Sequence, residues 1–399
     1  MESRAQFVTG WRLMLLWLAG IDLRLTILAV PPVLPLIHRD LALDEKAVAA
    51  LTGLPVLLFG LVAVPGSLMI ARLGARRATI AGLLLVAVAS ALRGFGPSAP
   101  LLFAMTFVMG AGVAIMQPAL PALVSAWFAA RPALATAVYA NGLLVGETLS
   151  ASLTIPLVLP LVGGSWPRSF VIWAVPVLAT AVLVALGTPH VPRAASAPRR
   201  RWWPDWHHPH TWQLGIVLGG GSALYFSCNA FIPDYLHAIG QPELVNACLT
   251  ALNAGQLPGS FIILIFARRL TGHRAPFIVT ALAGLAGLAG LLSASPVVMI
   301  ASAALVGFAA AFVLILTLAL PPLLAPAEDV HRLSAGMLAI GYTVTFLIPY
   351  VGGAIWDATG ITATAFLAGA AGVVTVLLTA FRLQLRDAAK LGMAANGPR

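Results

Sequence analysis

The sequence predicts an all-α integral membrane protein of twelve transmembrane helices in two six-helix repeats. Three observations carry that expectation. Of 399 residues, 60% are hydrophobic and only 9% charged, with a mean hydropathy of +0.96. Soluble domains carry about 25% charged residues, so soluble classes drop out. The apolar residues also fall in stretches of about 18–27, each long enough to cross the hydrocarbon core with some tilt. Finally, a short basic turn with one glycine occurs twice, as Arg72-Leu73-Gly74-Ala75-Arg76-Arg77 and as Arg268-Arg269-Leu270-Thr271-Gly272-His273-Arg274.

The first stretch, 11–37, holds Asp22-Leu23-Arg24 and the pair Pro31-Pro32. It is too long for a signal-peptide core and lacks a small-residue cleavage site, so it is expected to be retained. The second, 47–70, contains Pro55 and Pro65 and ends at the first basic turn. The third spans 78–94; the fourth, 100–124, carries Gln117 and Pro118. Asn141, Glu147 and Pro156 lie in the fifth, 133–160, and Trp173, read as a packing residue, in the sixth, 169–187. These proline positions suit helices that kink as they open and close.

A polar interruption from Thr188 to Thr211 then divides the chain, with Arg193, Pro198-Arg199-Arg200-Arg201 and His207-His208-Pro209-His210. Proline and charge mark it as a linker. The histidines have no acidic or cysteine companions, so a loop is favoured over a metal site. The expected organisation is a bundle over 1–187, a cytoplasmic linker over 188–211 and a second bundle with a short tail over 212–399.

The seventh and eighth stretches, 212–236 and 244–267, each carry one cysteine, Cys228 and Cys248, read as small packing residues. Gly284, Gly287 and Gly290 in the ninth, 275–294, allow close helix approach. The tenth, 297–324, ends at Pro321-Pro322; the eleventh, 333–356, holds Tyr342 and Thr345; the twelfth is 361–381.

A net charge of +10 invites a nucleic-acid reading, but its distribution argues for topology. With the N-terminus in the cytoplasm, one side holds Arg4, Arg12, Arg72, Arg76, Arg77, Arg131, Arg193, Arg199 to Arg201, Arg268, Arg269, Arg274, Arg332, Arg382, Arg386, Lys390 and Arg399. The other keeps Arg39, Lys46, Arg93 and Arg168, a bias of eighteen against four. That places both termini inside a cell inner membrane and makes the bilayer, not nucleic acid, the partner. Nothing resembles an ATP-binding loop, and no cofactor is expected. No His-Glu-x-x-His or paired carboxylate site lies within the helices, so an enzyme is not expected. Duplicated six-helix halves are the design of rocker-type secondary transporters, whose site lies at the midplane between halves.

The chain resembles the major facilitator superfamily over almost its full length. Arg72, Gly74 and Arg76 match that superfamily's loop signature, whereas Ala71 stands where it has an aspartate. Three stretches resemble the cyanate and 2-nitroimidazole transporter family: Asp22 to Thr26 with Pro31 to Pro35, Leu51 to Gly60, and Ser165 to Phe170 with Trp173-Ala174. Asp22 departs from the asparagine more usual there. The resemblance implies alternating access and a cyanate-like anion or nitroaromatic solute.

The residues themselves single out Arg24. A cation at mid-bilayer costs roughly 2.5–3.5 kcal/mol even on the gentler insertion scales, so it is expected to face a cavity and serve function. Its planar fork of donors suits a small anionic or polar solute. Glu147 has the same depth in a helix of the same direction, as counter-ion or as proton carrier. Asp22 lies about 200° round the helix from Arg24, so both cannot face one cavity centre; it is a second candidate for proton coupling. Further candidates for the substrate path are Tyr225 and Asn229, four apart, Asn253 and Gln256, three apart, with Gln117, Asn141 and Tyr342. Each also suits a plain helix–helix hydrogen bond. A proton-coupled multidrug or metabolite exporter of the same fold is the alternative function.

Overall fold

In the computed structural model, which describes residues 2–43, 45–188 and 201–382, every regular element is helical. Arg193, Arg199 and Arg200 of the expected linker, and Arg386, Lys390 and Arg399 of the tail, lie outside the described residues. The first-half helices are α1 (Glu2–Leu25), α2 (Glu45–Leu73), α3 (Ala75–Leu92), α4 (Ala99–Trp127), α5 (Pro132–Leu153) and α6 (Trp166–Gly187). The second half has α7 (Pro209–Ala238), α8 (Pro242–Leu270), α9 (Ala275–Leu291), α10 (Pro296–Leu318), α11 (Val330–Thr359) and α12 (Ala365–Arg382). Among the described residues ten segments are long and apolar enough to cross a membrane; Ala275–Leu291 is a shorter apolar helix, and α1 completes the twelve.

One expectation needs correction. The stretch 11–37 is not one helix: α1 stops at Leu25, a turn follows, and Pro31–Val33 and Leu34–Leu41 form separate short helices. Pro31 and Pro32 have no N–H to donate, and their rings would collide with the carbonyls four residues earlier. The consecutive pair breaks the helix here, whereas α2 and α4 run on through the single prolines Pro55, Pro65, Pro118 and Pro121. Other irregularities share this origin. Pro156 sits in a π-helical turn, Thr154–Val158, at the end of α5, and Pro321 opens a separate turn, Pro321–Leu324, after α10. Helix α8 is interrupted at Gly255.

The repeat read from the basic turns extends to packing. In the first half α3 lies along α4 and α6, α4 along α2 and α1, and α1 along α6. In the second half α9 lies along α10 and α12, α10 along α8 and α7, and α7 along α12. Each pair is its counterpart moved on by six helices. The glycines of the two basic turns agree as well: Gly74 has φ +83° and Gly272 φ +85°. Both turns need left-handed backbone, which explains why glycine recurs there.

The chain divides into two compact units. The first comprises residues 1–130, 138–204 and 327–335; the second comprises 131–137, 205–326 and 336–399. Within the first, Arg76 donates to the Thr188 hydroxyl and the Ala185 carbonyl, capping the end of α6. The Arg332 Nε donates to the Trp203 carbonyl at 2.9 Å, holding 327–335 in that unit. Glycines set its closest helix approach. A Cβ on Gly20 would collide with the Tyr139 carbonyl, one on Gly142 with that of Trp17, and one on Gly146 with that of Ile21. Helices α1 and α5 therefore touch backbone to backbone. In the second unit Gly287 and Gly290 bring α9 against Ser302 and Val306 of α10, as their spacing implies.

Candidate functional site

Arg24 lies in the last turn of α1, immediately before the break. Its carbonyl accepts from the Ile27 and Leu28 amides at 3.1 and 3.0 Å, closing the helix end. The side chain is 8% exposed, and its Cζ stands 5.3 Å from the ring centre of Phe59 in α2, a cation–π distance. Arg24 takes part in neither the Arg39–Asp40 nor the Arg332–Asp329 ion pair and is a buried cation. Asp22 is 1% exposed and sits beside Thr180 of α6. The two charges leave α1 toward different helices, as their angular separation requires.

Glu147 is half-buried on α5 and follows Gly146, the residue pressed on the Ile21 carbonyl. The α1–α5 contact thus falls at the level of Asp22 and Arg24, although no Arg24–Glu147 ion pair forms among the described residues. Asn141, one α5 turn before Leu144, is buried; its Oδ1 accepts from the Trp17 Nε1 at 2.9 Å, a second tie between these helices. Gln117 is buried in α4.

In the second unit the structure joins three of the expected residues. The Tyr225 hydroxyl donates to Asn253 Oδ1 at 2.6 Å, linking α7 to α8. Asn253 Nδ2 donates to the Leu249 carbonyl at 2.8 Å, and Asn229 Nδ2 to the Tyr225 carbonyl at 3.1 Å. Gln256 is buried just past the interruption of α8, and Tyr342 is buried in α11.

In the sequence Arg93 figures only in the charge balance, among the residues of the side opposite the cytoplasm, with no structural role expected of it. It is 1% exposed, with its Cζ 4.5 Å from the Phe170 ring centre. Its Nη2 donates to the Thr26 carbonyl and the Ser90 hydroxyl, both at 3.1 Å, while Nε and Nη1 have no partner. The Thr26 carbonyl lies in the turn that interrupts helix one, and a freed carbonyl at membrane depth needs such a donor. Arg93 therefore supports the break that follows Leu25. The available signal was the proline pair, which frees carbonyls that something must satisfy. A second unforeseen contact, at the end of Leu34–Leu41, is the Trp166 Nε1 donating to Asp40 Oδ2 at 3.0 Å. That bond, followed by one from Arg39, holds the Asp40 carboxyl below its usual range.

A multi-pass protein of two matched six-helix halves, with interrupted helices and ionisable groups inside one half, is by architecture a secondary transporter and not an enzyme. The chain belongs to the Major Facilitator Superfamily, whose profile matches residues 16–270. It is 29% identical over 353 residues to the cyanate transport protein CynX of Escherichia coli (strain K12), covering 87% of this chain and 90% of that protein. Against the 2-nitroimidazole transporter of the same organism it is 28% identical over 346 residues, 85% of this chain and 86% of the other. Among solved structures it is similar to the transporter FucP in its outward conformation, with a TM-score of 0.75 and 15% identity over 93% of this chain and 98% of that one. A double Trp mutant of XylE gives a TM-score of 0.77 at 11% identity, covering 97% and 99%. At such identities these two structures speak for the fold.

Proposed function

We propose that this transporter moves a small anionic or strongly polar organic solute by alternating access, with Arg24 as the group that holds it. The observation that carries this reading is a buried guanidinium at a helix break, resting on Phe59 and outside every ion pair of the described residues. A cation kept at such depth needs an anionic or electron-rich partner for part of its cycle. Glu147, at the same level on the helix pressed against α1, serves as counter-ion when the solute is absent or takes up a proton when it binds. Asp22 is the second proton-coupling candidate. Tyr225, Asn229, Asn253, Gln256 and Tyr342 are the second unit's polar contribution to the path, and Gln117 and Asn141 belong to the first. Cyanate-like anions and nitroaromatic compounds are the solutes to test first, because relatives covering most of the chain are named for them. The basic side faces the cytoplasm of an inner membrane, with both termini inside.

The test is thermal stability of the purified protein with cyanate or 2-nitroimidazole, and uptake of the stabilising compound into proteoliposomes. Binding to the folded form raises Tm by mass action, and Arg24→Ala abolishes both the shift and uptake. A ligand that stabilises Arg24→Ala undiminished refutes the arginine site. Glu147→Gln removes the pH dependence of uptake; unchanged uptake at every pH rejects coupling through Glu147. Substrate-driven proton efflux that survives Arg24→Ala would favour the exporter reading instead.

A further inference from the structure

Away from Arg24, a cavity of about 670 Å³ opens within the second unit, where Arg131, just ahead of α5, meets the end of α8. Its walls hold three cations, Arg131, Arg268 and Arg269, with Leu134, Ile265 and Phe266 among the apolar lining, and no carboxylate. The positive-inside rule explains arginines at a helix end, but not their convergence from two chain segments on one cavity. None of the three makes an ion pair or a side-chain hydrogen bond among the described residues. The α8 backbone leaves helical geometry at Phe266 (φ −107°, ψ 18°), so the turn bearing Arg268 and Arg269 departs from the helix axis.

The surroundings choose the kind of anion. Phe261, Ile262 and Ile265, on one side of α8, are 50%, 39% and 72% exposed, and Phe266 at the cavity is 44% exposed. An apolar stripe running into a cluster of three uncompensated guanidinium groups matches an amphiphile: acyl chains on the stripe, phosphate at the arginines. We infer that this cavity is a binding site for the headgroup of an anionic phospholipid. The site is separate from the solute site, so its failure leaves that proposal standing.

The test uses full-length protein in detergent, with Tm followed during addition of dioleoyl phosphatidylglycerol, dioleoyl phosphatidylcholine or inorganic phosphate. Phosphatidylglycerol raises Tm, and the other two at equal concentration do not. Arg268→Gln/Arg269→Gln loses at least half of the shift and Arg131→Gln part of it, while the charge-matched Arg201→Gln/Arg274→Gln keeps it. If the double glutamine variant fails to fold, Arg268→Lys/Arg269→Lys, which keeps charge but loses the planar fork, weakens the shift in its place. Equal stabilisation by phosphatidylcholine or by inorganic phosphate overturns the proposal. So does a phosphatidylglycerol shift that the cavity variants leave intact.

Discussion

Gly146→Ala isolates the contact on which the first unit's charged residues depend. Its new methyl group would fall on the Ile21 carbonyl, a backbone atom that cannot rotate away. Helix α5 must then retreat from α1 by roughly 1 Å, and a gap of that size forfeits a quarter to a half of the dispersion well along the contact. Overpacking of this kind costs about 1–3 kcal/mol. Against it stands only the small gain of alanine over glycine in a helix, about 1 kcal/mol at most. Gly53→Ala is the matched control, because a Cβ there meets nothing within 4 Å and only the propensity gain remains. The assay is thermal unfolding of both variants in one detergent, with uptake measured in parallel. Gly146→Ala should lower Tm by about 1–3 °C and reduce uptake, whereas Gly53→Ala should hold or raise Tm. A Gly146→Ala protein as stable and as active as Gly53→Ala would refute backbone contact between α1 and α5 at the level of Arg24.

Trp17→Phe removes the indole donor from Asn141 and should lower unfolding stability by ~0.5–1.5 kcal/mol in a chemical-denaturant titration; no change would mean that water replaces the indole there. Arg93→Leu strips the Thr26 carbonyl and Ser90 hydroxyl of their donor and should cost about 1–3 kcal/mol, with Arg93→Lys in between. A leucine variant more stable than the wild type would show that burying the cation outweighs its bonds. For Asp40 the folded carboxyl titrates below its ordinary 3.8, so its bonds stabilise the protein above that pH and are lost as pH falls through the folded value. Trp166→Phe should therefore lie further below wild type in Tm at pH 7 than at pH 3, and a constant gap would contradict the assignment.

The twelve helices were legible because each apolar stretch is long, and the repeat was legible because Gly74 and Gly272 serve the same backbone need. The divergence of Asp22 and Arg24 was legible, since helix geometry relates sequence offset to direction. Arg24, however, was expected at the middle of helix one and stands in the last turn of α1, because that helix ends at Leu25. The interruption after Leu25 was less legible: Pro31-Pro32 announced a distortion, but its extent depends on Arg93, a donor from another helix. The contacts of Arg93 were not legible because hydropathy reports position along a span and not what packs over it. Tyr225 and Asn253 were expected on α7 and α8, but their bond across the two helices is a matter of tertiary register, which spacing within either helix does not contain.

The assignment of residues 327–335 to the first unit has a consequence for biogenesis. A ribosome delivers the first six spans long before Arg332 exists, so during most of translation the Trp203 carbonyl waits for the guanidinium that will bind it. The contact between Trp203 and Arg332 is thus a late event in synthesis, set by the arrival of the first turns of α11. A nascent chain stopped at Pro326 would carry the whole of α1 to α6 and still lack the segment whose Arg332 binds Trp203.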